Sequence, residues 1–229
     1  MVMQLEKVVP FGRSLGEYLK MFDLAELNPA TRILGVGDGP ASFNSEATKI
    51  GANVTSVDPI YQFSGAEIQK RFDKVVDDII GQVIATPDDW VWSYHKSPED
   101  LRNNRYRAIK EFVSDYDRGR LEGRYQLGEL PKLNFEDNRF DLALCSHFLF
   151  LYSDHYDYQF HFDAIREMLR VSREVRIFPL LTLMLKRSPH LDRILEEFSD
   201  LGYKVSIDRV KYQLQKGGNE MLKMETVTL

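Results

Sequence analysis

The chain has 229 residues, 43% of them hydrophobic and 28% charged, which is enough to bury one sizeable core and excludes a disordered chain. A formal net charge of −5 and a pI near 5.6 argue against DNA or RNA as the main partner, because a nucleic-acid binder carries a basic face. The single cysteine, Cys145, excludes an intrachain disulfide and a multi-cysteine zinc site.

Residues 1–10 lack the apolar run of a signal peptide. The most apolar stretch, 177–185, is too short to span a membrane, so the cytoplasm is the expected location. Helix and strand signals then alternate, which predicts a parallel sheet covered on both faces. Ser14 and Glu17 form a capping-box pattern, followed at helical spacing by Leu15, Tyr18, Leu19 and Phe22. A strand is expected over 31–36, then the turn Gly37-Asp38-Gly39-Pro40. A helix over about 42–50, stopped by Gly51, leads to a second strand over 54–57. Ser64 and Glu67 open one helix whose face runs through Ile68, Phe72, Val75, Val76, Ile79, Ile80 and Val83, and Thr86-Pro87 stops it. The aromatic tract Trp90, Trp92, Tyr94 and His95 precedes a helix with Pro98 at its first position. Strands follow over 125–127, 140–144 and 174–178, with helices over 160–169 and from Ser188-Pro189 to Gly202. Strands over 204–214 and 220–227, joined by Lys216-Gly217-Gly218-Asn219, read as a hairpin. No repeat or flexible linker interrupts the pattern. One domain over 1–229 is expected, with a helical insertion at about 60–123.

The site-bearing motif is Ile33-Leu34-Gly35-Val36-Gly37-Asp38-Gly39-Pro40-Ala41, a strand entering a glycine turn and then a helix. Such glycines let the backbone turn sharply and approach a ligand closely. Asp58, followed by Pro59, lies at the end of the next strand, 21 residues after Gly37. A carboxylate there accepts hydrogen bonds from both ribose hydroxyls, which points to an adenosine-containing cofactor. A pyrophosphate needs a positive local field at the helix N-terminus, and Asp38 opposes one. S-adenosylmethionine carries a sulfonium and an ammonium instead of phosphates. The loop also reads G-x-G-x-A rather than G-x-G-x-x-G, so the methyl donor is favoured over NAD.

On these residues the chain resembles the class I S-adenosylmethionine-dependent methyltransferases, and an uncharacterised bacterial group among them. The segment 130–147 is similar to that family's L-P-F-x-D-x-x-F-D-x-V pattern leading into the fourth strand. The resemblance implies a Rossmann-like, doubly wound α/β fold. Its mostly parallel seven-stranded sheet would end in an antiparallel hairpin, with the insertion between the second and third strands. It places Gly35, Gly37 and Gly39 under the cofactor and Asp58 on the ribose. Glu129 and Leu130 would stand at the adenine, and Cys145, Ser146 and His147 at the methionine end and the acceptor. Two departures stand out. Gly35 occupies a usually acidic position, for which Asp38 is the candidate substitute, and Ala41 replaces a third glycine.

Methyl transfer needs alignment, exclusion of water and, for a hydroxyl or amine acceptor, a base. His147 is the candidate base, or else a hydrogen-bonded structural histidine. Cys145 reads as a small buried side chain. His155 and His161, among Asp154, Asp157 and Asp163, read as a helix start rather than a metal site, and no metal is expected. The aromatic tract reads as an acceptor lid or as packing. Arg102, Arg105, Arg107 and Lys110 read as a solvated helix face. The expected activity is methyl transfer to a small-molecule acceptor. A protein or RNA methyltransferase and a non-catalytic cofactor-binding module are the alternatives.

Overall fold

A computed structural model describes residues 8–226. Strands β1 (Arg32–Val36), β2 (Asn53–Val57), β3 (Tyr125–Gln126), β4 (Phe140–Ser146), β5 (Ser172–Phe178), β6 (Lys204–Arg209) and β7 (Glu220–Glu225) form one sheet. Their order is β3-β2-β1-β4-β5-β7-β6. The pairs β1/β2, β1/β4, β2/β3 and β4/β5 are parallel, and β7 is antiparallel to both β5 and β6. This is the expected doubly wound sheet with its C-terminal antiparallel hairpin.

Central parallel strands are buried on both faces, so they read as apolar runs whose side chains alternate between two cores. Ile33, Leu142 and Leu144 face one core, built with α1 (Leu15–Met21), α2 (Phe43–Lys49), α3 (Gly65–Asp73), α4 (Val76–Ala85) and α5 (Pro98–Leu121). Leu34, Val36, Ala143 and Cys145 face the other, closed by α6 (Tyr158–Val171) and α7 (Leu191–Asp200). Three helix starts follow the predicted caps, whereas α7 begins after His190 and not at Ser188-Pro189. Ser64 accepts the Glu67 N–H, Ser97 that of Asp100 and Asp157 that of Phe160.

Three expectations are corrected. The helix after Ser64 is two helices, α3 and α4, although no glycine or proline marks the break. The β-branched pair at the junction divides between environments: Val76 is fully buried, while Val75 is half-buried beside a cavity. The strand expected over 204–214 ends at Arg209. The next residues leave the sheet because Tyr212 and Leu214 bury themselves elsewhere, Tyr212 completely. Val91 donates to the Leu214 carbonyl (2.7 Å) and Lys216 to that of Asp89 (2.9 Å), so this segment pairs with the aromatic tract. Arg105 is not on a solvated face: it is 1% exposed, whereas Arg107 and Lys110 are exposed as expected. Val227, the expected end of the last strand, and residues 1–7 lie outside the described residues. No helix among the described residues is long and apolar enough to cross a membrane.

Candidate functional site

Strand order reverses between β1 and β4, and ligands of open α/β sheets bind at the carboxyl ends beside such a switch point. A cavity of about 500 Å3 opens there, within the range of small-molecule sites. The glycine turn, Asp58-Pro59 and Ser146-His147 line it.

The turn is fixed from several sides. Gly37 has φ +66° and its N–H donates to the Val57 carbonyl (2.9 Å), while Gly39 has φ +54°. Left-handed backbone of this kind favours glycine. Asp58 Oδ2 accepts the Gly39 N–H (2.8 Å) and its Oδ1 accepts that of Ile60 (2.7 Å). The Tyr61 hydroxyl donates to the Gly39 carbonyl (2.8 Å). Each carboxylate oxygen keeps a second lone pair, so Asp58 retains acceptor capacity toward the cavity.

Asp38 does not project from the loop into the cleft. Its side chain folds back beneath the turn, where Tyr18 donates to Oδ1 (2.7 Å) and Ser56 to Oδ2 (2.6 Å). Asn44 in turn donates to Ser56 (3.1 Å). The carboxylate lies over Gly35: a Cβ there would stand 1.8 Å from Asp38 Oδ2. Asp38 therefore fills the space that a side chain at position 35 would need. Burial pushes both Asp38 and Asp58 up to about 6, against the hydrogen bonds that favour their charged forms.

Beside the turn, on the strand paired with β1, Ser146 ends β4 and His147 follows it. His147 has φ +51°, an uncommon conformation for a histidine outside a glycine turn, and its N–H donates to the Phe178 carbonyl (2.6 Å). Its Nδ1 lies 3.0 Å from Ser146 Oγ. Burial drives the imidazole well below its usual range, with Arg13 and Arg105 adding to the effect, so His147 is neutral at pH 7.

The remaining expected residues are placed differently. Gly35 is buried within β1, and Cys145 is fully buried with its thiol pushed up to about 12 by burial. Glu129 and Leu130 line a neighbouring cleft of about 370 Å3 with residues 131–134. The Glu129 charge still acts on Asp58. His161 is in the core, within 2.7 Å of the Asp157 carbonyl and 2.9 Å of the Leu149 carbonyl.

By resemblance Arg13, Ser14 and Tyr18, ahead of β1, stand where family members close over the cofactor, and Arg13 and Tyr18 do line the cavity; sequence reasoning missed the rest of this N-terminal wall. Val9, Phe11 and Arg13 line the cavity. Gly12 permits this close approach, since a Cβ on it would stand 2.1 Å from the Pro40 carbonyl oxygen. The Ser42 N–H also donates to the Arg13 carbonyl (3.0 Å). Gly12 was the available signal, but a lone glycine before a capping box carries no pattern. Also missed was a buried polar cluster on Glu17, which is 0% exposed. Arg105 meets Glu17 bidentately at 2.7 Å on both oxygens, Tyr212 donates at 2.9 Å and His95 lies at 3.1 Å. Burial alone would raise the Glu17 carboxyl, but Arg105 and His95 hold it well below the usual range. The cluster ties α1, α5, the aromatic tract and the segment after β6 together behind the site.

The sheet order, the reversed β7 and the glycine turn at the switch point define the Rossmann-like methyltransferase fold. The mitomycin 7-O-methyltransferase MmcR shares it with a TM-score of 0.51 at 11% identity, over 93% of this chain and 54% of that one. Magnesium protoporphyrin IX methyltransferase from Synechocystis PCC 6803, solved with bound SAM, aligns over 90% of this chain and 74% of its own at 13% identity, with a TM-score of 0.45. No protein-family profile matches the chain. The chain belongs to the same family as the uncharacterized protein MJ0045 of Methanocaldococcus jannaschii. The two are 38% identical over 221 residues, 96% of this chain and 97% of the relative.

Proposed function

We propose that this protein is an S-adenosylmethionine-dependent methyltransferase acting on a small-molecule acceptor. The observation that carries the reading is the pairing of two buried carboxylates, Asp38 beneath the glycine turn and Asp58 beside it, on one wall of the switch-point cavity. Two carboxylates suit a ligand bearing positive charge and ribose hydroxyls, and they oppose a pyrophosphate. The fold shared with an O-methyltransferase agrees with this choice.

The residues present fit that cofactor. Asp58 would take the ribose hydroxyls, with Pro59 beside it. Gly39 leaves room for close backbone approach, since a Cβ there would meet nothing within 4 Å, while the same space at Gly37 is packed by Phe148 at 3.2 Å. Asp38, held beneath the turn by Tyr18 and Ser56, would act on the methionine end through its charge, and Ser146 lines the same cavity. When bound, S-adenosylmethionine supplies a methyl carbon activated by its positive sulfonium. His147 lines the same cavity at the end of the strand paired with β1, and its imidazole would accept the proton that a hydroxyl or amine acceptor loses. The N-terminal wall and the helices between β2 and β3 enclose the acceptor and exclude water.

Incubation with methyl-labelled cofactor and a metabolite extract tests the reading. Label should enter the low-mass fraction and fall at least about tenfold with His147→Gln. Label confined to protein or RNA would favour the macromolecular alternative. Cofactor binding without any transfer would favour a non-catalytic module.

A further inference from the structure

The main cavity also has a cationic stretch that the cofactor reading does not use. Arg71, Lys74 and Val75, at the end of α3 and its junction with α4, line it together with Phe63. Lys74 keeps helical backbone (φ −74°, ψ −20°), so spacings of three and four residues put all three on one face. The Arg71 guanidinium lies over the Phe63 ring, 3.8 Å from its centroid. Stacking of this kind holds the planar fork in place and leaves its N–H edges free to meet an oxyanion.

The helix supplies neither cation with a counter-charge. Side chains three and four residues apart are neighbours on a helix, and the one acid so placed for Arg71 is Glu67. Glu67 is turned back onto the cap of α3, where its Oε2 accepts the Ser64 N–H (2.9 Å) and hydroxyl (2.7 Å). Asp77, three residues after Lys74, pairs instead with Arg102 (2.5 Å). Asp78, four residues after it, accepts from Gln82 (2.9 Å). On its other side Lys74 meets Lys70 and Arg71, which carry the same charge. Among the described residues neither Arg71 nor Lys74 forms an ion pair. Like charges at this spacing repel, and an anion in the cavity would relieve them. The charges around the whole cavity act in the same sense. Arg13, Arg71 and Lys74 line it against Asp38 and Asp58. S-adenosylmethionine would bring two positive groups and a single carboxylate. A neutral acceptor leaves that excess standing, whereas a dianion closes it.

We infer that Arg71 and Lys74 form an anion subsite for the methyl acceptor, and that the acceptor is a small phosphate monoester. The phosphate meets the Arg71 fork and the Lys74 ammonium, and Phe63 and Val75 give the body of the molecule an apolar surface. The assignment of the anion to an acceptor rests on the methyltransferase reading. The anion itself rests on Arg71 and Lys74 alone.

Calorimetry on the full chain near neutral pH tests the subsite, with and without saturating S-adenosylhomocysteine. The probes are phenyl phosphate and its uncharged counterpart, phenol. Phenyl phosphate should bind saturably with a Kd of about 1 mM or tighter, and phenol about tenfold or more weaker. The double variant Arg71→Gln with Lys74→Gln should weaken phenyl phosphate by about tenfold or more, while S-adenosylhomocysteine affinity stays within about twofold. Lys70→Gln removes a charge from the same helix but off the cavity, and should leave phosphate binding unchanged. The proposal is overturned if phenyl phosphate does not bind, if it binds no tighter than phenol, or if Lys70→Gln weakens it as much as the double variant does. It is overturned equally if the double variant weakens S-adenosylhomocysteine to the same extent, since the cations would then hold the cofactor's own carboxylate. Titrating each ligand alone separates the two claims. Phosphate binding without nucleoside binding would sink the methyltransferase reading and leave the anion subsite standing. Nucleoside binding without phosphate binding would overturn the subsite alone.

Discussion

The carboxylate of Asp38 occupies the space above Gly35: a Cβ at position 35 would stand 1.8 Å from Asp38 Oδ2. The missing side chain and the acidic residue three positions later are thus one device. The strand delivers no carboxylate of its own, and the turn returns one to the same place, held by Tyr18 and Ser56.

Gly35→Ala should therefore displace Asp38 and cost about 1–3 kcal/mol by overpacking. Chemical denaturation reads the loss. The paired variant Gly35→Asp with Asp38→Gly should recover cofactor binding that Gly35→Asp alone lacks. Equal binding by the two single variants and the pair would separate Asp38 from the site.

Asp58→Ala removes the acceptor for the Gly39 and Ile60 amides as well as the expected ribose contact. Cofactor affinity should fall by about 10- to 100-fold. Asp58→Asn, which keeps one oxygen, should fall less. Calorimetric titration of the three proteins checks the order.

Stability and affinity should respond to pH in opposite directions. Burial raises Asp38 and Asp58 to about 6 in the folded chain, above their ordinary values. Between about pH 4 and 6 the native state holds more protons than the unfolded one, so their contribution to stability falls as pH rises through that window and is level above it. A cationic nucleoside needs the ionised forms, so its affinity should rise through the same window, by at most about tenfold per group per pH unit. Glu17 has the opposite sign: its folded value is depressed, so the stability it contributes is lost only in more acidic solution. Denaturant midpoints and dissociation constants measured from about pH 4 to about pH 8 would show whether the two curves run in opposite directions.

Arg105→Met leaves Glu17 buried without its bidentate partner and should destabilise the chain by about 3–5 kcal/mol. The double variant Arg105→Met with Glu17→Met should recover much of that loss, because both buried charges are then gone. Urea unfolding of the single and double variants measures the difference.

The parallel sheet and its glycine turn were legible because strand alternation, helix caps and turn glycines are local signals. The Ser64, Ser97 and Asp157 caps each lie within three residues of the amide they accept. Asp58 was legible for the same reason, standing at the tip of a short β-branched strand. The buried cluster on Glu17 was not, because Arg105 is 88 residues away and Tyr212 is 195. On a helical wheel Arg105 falls between Leu101 and Ile109 on the apolar face, away from Arg107 and Lys110, so its spacing was a usable signal that its charge concealed. The end of β6 at Arg209 was hidden likewise. An alternating run up to Leu214 fits a strand equally well, and it is Glu17 that draws Tyr212 out of the sheet. The expected adenine contacts, Glu129 and Leu130, came from family pattern alone, and they line an adjacent cleft.

The claim beneath all of this is that the turn after β1, with Asp38 and Asp58, holds a cationic nucleoside and not a dinucleotide. Calorimetry at neutral pH with S-adenosylmethionine, S-adenosylhomocysteine and NAD tests it most directly. The account predicts micromolar binding of the two sulphur nucleosides, weakened about 10- to 100-fold in Asp58→Ala, and no measurable heat from NAD. Tight binding of NAD with silence from both sulphur compounds would contradict it.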